Sequence, residues 1–141
     1  MVKSKYLNIE YRKVTKELVD GIHDAGIGVQ VWTPDAKKHL RKMIEIGVDI
    51  LNPIQPAAKD MQPEKLKESF GDRITFHGGI DVQHLLIEKK PQEIVDEVNR
   101  VIGILSENGG YIIAPSHNIQ ANTPIENIIA FYDTVNEYQE K

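Results

Sequence analysis

The stretch Gly109-Gly110-Tyr111-Ile112-Ile113-Ala114-Pro115-Ser116-His117-Asn118-Ile119-Gln120-Ala121-Asn122-Thr123-Pro124-Ile125-Glu126-Asn127 decides the fold. Tyr111 to Ala114 is a short apolar run of the kind that forms a buried strand. Thr123 followed by Glu126 predicts a capping box, with Pro124 at the first helical position. The polar loop between them holds Ser116, His117 and Asn118. Strand, loop and helix in that order make one βα unit. In a parallel α/β sheet such a loop leaves the carboxyl end of the strand, where ligands bind.

The same plan recurs upstream. Met1 to Arg12 has no clear period and reads as a surface lead-in. Thr15 predicts an N-cap with Val14 and Val19 as a hydrophobic staple, and Leu18, Val19, Ile22 and Ala25 form the inward face of a helix that Gly26 ends. Gly28 to Trp32 predicts a strand. Thr33-Pro34 then starts a helix with Ala36, Leu40, Met43 and Ile44 inward, closed at Gly47. Val48 to Pro53 is the next strand, stopped by its proline, and Ile54 to Gln62 is a polar loop. Pro63 opens a helix with Leu66 and Phe70 inward. Arg73 to Gly79 is a strand that runs into a glycine pair, with a loop through Asp81 and His84. Pro91 opens a helix with Ile94, Val95, Val98, Val101, Ile102 and Leu105 inward. The last helix is expected to bury Ile128, Ile129, Tyr132 and Val135.

The predicted order is one helix, then βα four times, each unit spanning roughly 20–35 residues. Alternation of this kind argues for parallel strands joined by crossovers. A (β/α)₈ barrel typically needs about 250 residues, so a chain of 141 residues supplies about half of one. The fold class expected is therefore α/β, a (βα)₄ half of a TIM-type (β/α)₈ barrel with a leading helix, the alternative being a small open parallel sheet. One domain over residues 1–141 is expected.

Composition narrows the function classes. A hydrophobic fraction of 40% suffices for an ordinary core, and a formal charge of −4 leaves no electrostatic footprint for nucleic acid. No apolar run approaches the ~18 residues of a membrane span, and no signal-type apolar core follows Met1 to Lys5. The chain has no cysteine, which excludes disulfides and thiolate metal sites and suits a cytoplasmic protein.

Gly71-Asp72-Arg73-Ile74-Thr75-Phe76-His77-Gly78-Gly79-Ile80-Asp81, with Asn52-Pro53-Ile54-Gln55 before it and Gly109 to Asn127 after it, resembles the uroporphyrinogen decarboxylase superfamily, which includes the corrinoid-linked methyltransferases. The resemblance covers roughly Val48 to Tyr138 and implies the last three βα units of a barrel. Upstream, Thr15 to Val19, Gly26 to Thr33 and Met43 to Asp49 look like the carboxyl-terminal part of glycerophosphodiester phosphodiesterases, also (β/α)₈ barrels. The decarboxylase pattern would place a His and a glycine-containing loop at Val31 to Pro34, where this chain has neither. Two barrel fragments joined near 48–52, a chimera, are therefore expected.

His117 is the candidate catalytic residue. By resemblance it matches a substrate-contacting His of the decarboxylases and stands where methyltransferases have a zinc-binding Cys. A loop imidazole can donate to a carboxylate or exchange a proton near neutral pH; a His satisfied by local backbone is the plainer reading. The candidate ligand-binding residues are Trp32, Asn52, Gln55, His77, Gly78, Gly79, Asp81, Ser116 and Asn118. Alternation puts Thr75 and His77 on the lumen face, and Ile74 and Phe76 toward the helices. Gly78 and Gly79 would let backbone N–H groups approach an anion, although glycine pairs more often only permit a turn. Asp81 as a turn cap, Asn52 as a turn former and Trp32 as a rim residue are the structural alternatives. No metal and no cofactor are expected: a zinc site needs three or more ligands, and the methyltransferase His-x-Cys pair has no counterpart here.

In the family that the chain resembles, the arginines and the key aspartate come from early barrel units, to which nothing here corresponds. The resemblance therefore carries no activity over to this chain by itself. What is expected is a scaffold whose exposed sheet edges drive self-association, two copies closing an eight-stranded barrel. The alternative is a decarboxylase- or methyltransferase-like enzyme with a composite site; a module that binds a small anionic ligand is a third reading.

Overall fold

The computed structural model describes residues 5–34 and 37–139. Five strands form one sheet: β1 Tyr6–Glu10, β2 Gly28–Trp32, β3 Ile50–Ile54, β4 Thr75–Ile80 and β5 Tyr111–Pro115. Every neighbouring pair is parallel and the spatial order is the chain order. The helices between and after them are α1 Lys16–Asp24, α2 Lys37–Glu45, α3 Pro63–Phe70, the single turn α4 Leu85–Glu88, α5 Pro91–Leu105 and α6 Ile125–Gln139. Sequential parallel order is what repeated βα units produce when each crossover lands beside the previous strand. The half-barrel expectation holds, with one more strand than the periodicity indicated.

That strand is β1, within the segment expected to be a surface lead-in. Tyr-Leu-Asn-Ile-Glu is a weak strand pattern, and its order comes from pairing along β2, from Tyr6 beside Gly28 to Glu10 beside Trp32. A half-covered edge strand needs little hydrophobic alternation of its own.

The sheet has two unlike faces. Val29, Val31, Leu51 and Phe76 are fully buried and meet a core with Val19, Leu40, Met43, Leu66, Val98 and Leu105. Phe76 alone makes the case for this face, since truncating a buried Phe to Ala typically costs about 3–5 kcal/mol. Asn8, Trp32 and Ile112 lie exposed on the other face, with Gln30, Thr75 and His77 half-buried among them. Period-two alternation separates the two sets, as the reading of Thr75 and His77 against Ile74 and Phe76 anticipated.

Local signals fare unevenly. Thr15 caps α1, its Oγ1 accepting from the Leu18 N–H at 3.2 Å, and Val14 and Val19 are buried around it. Leu18 and Ala25, expected inward, are exposed. Pro53 does not stop β3, which continues to Ile54 with its register shifted between Leu51 and Ile54. The Thr123 capping box is not made: the Thr123 hydroxyl is buried without a partner. Ala36 lies outside the described residues. On α6 the buried positions are Asn127, Phe131, Thr134 and Val135, while Ile129 and Tyr132 are 52% and 48% exposed. The helix is rotated from the expected face because Asn127 anchors it, donating from Nδ2 to the carbonyls of Leu86 at 3.0 Å and Lys89 at 2.7 Å.

Candidate functional site

The carboxyl ends of β2, β3, β4 and β5 converge on a cleft of about 630 Å³ lined by Trp32, Thr33, Asn52, Pro53, His77, Pro115, Ser116, His117, Asn118, Ile119 and Tyr132. Six of the sequence candidates thus meet in one place: Trp32, Asn52, His77, Ser116, His117 and Asn118. Each of the first three comes from a different strand, and the last three come from the loop after β5. Parallel order brings them together, because every strand ends at the same side of the sheet.

Their surroundings differ. His77 sits on the open face beside Ile112 of β5 and is half-buried. Its Nδ1 is buried with no hydrogen-bond partner. Burial holds its pKa below the ordinary imidazole value of 6.5, because desolvation penalises the cation. Burial thus favours its neutral form. Ser116 is committed to the fold: its N–H donates to the Ile80 carbonyl at 2.8 Å and its hydroxyl to the Ile54 carbonyl at 2.8 Å. His117 and Asn118 are exposed at the rim. Trp32 is 44% exposed, its indole forming one wall.

Four candidates lie elsewhere. Gly78 has φ +108°, and a Cβ there would meet the Ile54 backbone nitrogen and oxygen at 3.1 Å. Its carbonyl accepts from the Tyr111 hydroxyl at 2.8 Å, and burial pushes that phenol well above its usual pKa. Gly79 and Asp81 face a separate hollow with His84 and Glu93. Asp81 Oδ1 accepts from the N–H groups of Gln83 at 2.7 Å and His84 at 3.3 Å, which is the geometry of a turn cap, and from Gln55 Nε2 at 3.4 Å. Tyr132 in the cleft was missed, because periodicity assigned it to the buried face of α6.

Chemically, the cleft offers two imidazoles, two carboxamides, an indole and a phenol, and among the described residues no lysine or arginine lines it. Neutral donors and acceptors beside aromatic walls suit a planar ring that hydrogen-bonds at its edge. Among the described residues no group of three His, Asp or Glu side chains could hold a metal ion. His84 belongs to the other hollow, so His77, His84 and His117 do not converge. At the opposite end of the sheet a hollow of about 540 Å³ is lined by Asp49, Asp72, Arg73 and turn glycines. Asp49 there accepts from the Val29 N–H at 2.7 Å and pairs with His23 at 2.8 Å, which ties α1 to the sheet. Conserved chemistry in barrels sits at the other, carboxyl end.

The sequence profile of the family described as Uroporphyrinogen decarboxylase (URO-D) matches residues 9–138. The chain belongs to the uroporphyrinogen decarboxylase family. The match takes in Thr15 to Asp49 as well as the residues from Val48 onward, so one family model spans both parts of the chain. A relative from Pseudoalteromonas atlantica (strain T6c / ATCC BAA-1087), described as uroporphyrinogen decarboxylase, is 27% identical over 126 residues. Those residues are 86% of this chain, which spans about a third of that relative, 34%. Among solved structures, a methyltransferase from Methanosarcina mazei superposes with a TM-score of 0.63 at 20% identity, covering 92% of this chain and 37% of the other. At that identity the likeness speaks for the fold. No helix among the described residues is long and apolar enough to cross a membrane.

Proposed function

We propose that the chain is a partial-barrel scaffold of the decarboxylase family that performs no turnover alone and completes its sheet by self-association. The observation that carries this reading is the open face: Trp32 and Ile112 lie on it more than two-fifths exposed, and among the described residues β1 and β5 are the outer strands of the sheet. Apolar side chains and free strand edges of this kind favour a partner. With five strands in each copy, a closed pair holds ten strands, not the eight expected from four βα units. Its lumen would be wider, because barrel diameter grows with strand number. The cleft then becomes the mouth of a composite site for a ring-shaped ligand, with the side chains of Asn52, His77, His117 and Asn118 available to hydrogen-bond its edge. The mass in solution by size-exclusion with light scattering tests this reading. The expected result is an oligomer at micromolar concentration, and a folded monomer would overturn it.

A second reading is favoured by the orphan Nδ1 of His77. A half-buried imidazole that shares the cleft with an indole can hold or exchange a proton with a bound ring. On this reading the assembled chain decarboxylates a porphyrinogen or transfers a methyl group, with His77 and His117 at the reacting ring. Turnover lost in His117→Ala and in His77→Gln, with folding kept, is the expected outcome. No turnover by the unaltered protein across a panel of porphyrinogens and methyl donors would leave the scaffold reading alone.

A further inference from the structure

The turn after α5 holds a reactive pair. Asn108 is exposed, sits in the left-handed region at φ +58°, and is followed by Gly109 at φ +81°. Asparagine and glycine are the residues that accept this backbone most readily. The pair also has a chemistry of its own. A backbone nitrogen can attack the side-chain carbonyl carbon of the asparagine before it, and a glycine puts no side chain in the way. The chain has eight asparagines, and all except Asn108 precede Ile, Pro, Arg, Thr or Glu. Asn108 is thus the asparagine whose neighbouring nitrogen is unshielded.

The fold restrains this pair. The Gly109 N–H donates to the Ser106 carbonyl at 2.8 Å, which fixes the nitrogen that would attack. Lys67 Nζ, from α3, gathers the carbonyls on both sides of Asn108, those of Glu107 and Gly109, together with that of Leu105. One ammonium therefore brackets the turn. The same turn feeds the sheet. The Gly110 carbonyl accepts from the Phe76 N–H at 2.9 Å, where the pairing of β4 with β5 begins. Phe76 directly precedes His77 of the cleft.

We propose that Asn108 is a self-modification site that the Lys67 clamp holds in check, and that its conversion to isoaspartate loosens the joint between β4 and β5. The Gly109 nitrogen loses its proton and bonds to Asn108 Cγ, the Cγ–Nδ2 bond breaks, and ammonia leaves carrying that proton. Water then opens the cyclic imide at either carbonyl, giving aspartate or isoaspartate, with no other reactant consumed. Isoaspartate routes the main chain through the side-chain methylene. That adds an atom between α5 and β5 and shifts the Gly110 carbonyl away from Phe76. In the folded protein the pace is set by opening of the turn, because segments open locally at free energies well below the global one.

The test follows the modification by peptide mapping with mass spectrometry at mildly alkaline pH. The unaltered chain, Lys67→Met and Thr15→Ala are incubated folded, beside the unaltered chain unfolded in urea. Asn108 is expected to convert ahead of every other asparagine, fastest in urea. Folded Lys67→Met should convert about tenfold faster than the unaltered fold, the factor that losing hydrogen bonds to a charged group gives a local opening. Thr15→Ala lowers global stability without touching the turn and should leave the rate unchanged. An Asn108 that stays intact while other asparagines convert overturns the site. An unchanged rate in Lys67→Met, or equal acceleration in Thr15→Ala, overturns the clamp. A second readout needs no variant: urea below the unfolding transition should barely alter the rate, since a local opening exposes little surface. A rate that climbs with global unfolding overturns the gating. Protein aged until isoaspartate accumulates at position 108 should exchange the Phe76 amide faster than fresh protein, and equal exchange overturns the loosened joint.

Discussion

His77 and Gly78 are neighbours with opposite duties. His77 titrates below its ordinary value because folding removes water from it. Its unfolded form binds a proton near pH 6.5 while the folded form resists, so the unfolded state holds more protons as pH falls and stability drops below that point. Urea midpoints measured from pH 8 to pH 5 should therefore fall further for the unaltered protein than for His77→Gln, which has no charge to gain. A ligand with carboxylates would oppose this drift by favouring the cation. Gly78 has no chemistry and a strict geometry, with φ +108° and the Ile54 backbone 3.1 Å from any Cβ. Gly78→Ala is expected to cost about 1–3 kcal/mol, the usual range for a side chain forced into such backbone space, measured by denaturant unfolding. The sequence flagged both residues as ligand candidates. Only tertiary packing separates them, since it leaves His77 in the cleft and seals Gly78 against β3.

At the scale of elements, helix ends are held by residues far away in the chain. Lys67 on α3 reaches the end of α5, where its Nζ donates to the carbonyls of Leu105 and Gly109 at 3.1 Å each and to that of Glu107. The Leu105 carbonyl is one that the helix terminus leaves without an internal partner, the other two belong to the loop that follows, and a cation there also opposes the helix dipole. Lys67→Met keeps the aliphatic stem and removes the donors. It should cost about 1.5–3 kcal/mol, the range for hydrogen bonds to a charged group, with hydrogen exchange rising first near Ser106 to Gly109. By contrast Thr15 caps its own helix and was legible in the sequence, and Thr15→Ala should lose about 1 kcal/mol. The capping box at Thr123 was equally legible and is not formed, because the α6 start is set by Asn127 bonding to the carbonyls of Leu86 and Lys89. A local motif gives way where a long-range anchor has already fixed the helix.

For the whole molecule, the sheet decides how far function can go. Five parallel strands with one face packed and one face open bring strand ends together, but they do not enclose them. Enclosure matters because hydrogen bonds and charges act strongly only where water is excluded. Binding of a planar aromatic acid is thus expected to follow assembly: its apparent affinity should rise with protein concentration through the association range, as seen by Trp32 fluorescence, the chain's single tryptophan. An affinity independent of protein concentration would place the whole binding site within one copy.

The sequence by itself determined the βα order, the parallel sheet, the apolar strand faces and the set of residues at the strand ends. Those follow from periods of two and 3.6, from caps and from turn residues, all of which act over a few positions. Only the tertiary structure decided that Tyr6–Glu10 is a strand, that α6 turns Ile129 and Tyr132 outward, and which candidates share the cleft. A weak edge strand is made by its neighbour's hydrogen bonds, and a helix's rotation by anchors about 40 residues away, at separations of 41 and 38 for Asn127. Neither cause leaves a mark in the local pattern, because both depend on what lies alongside in space.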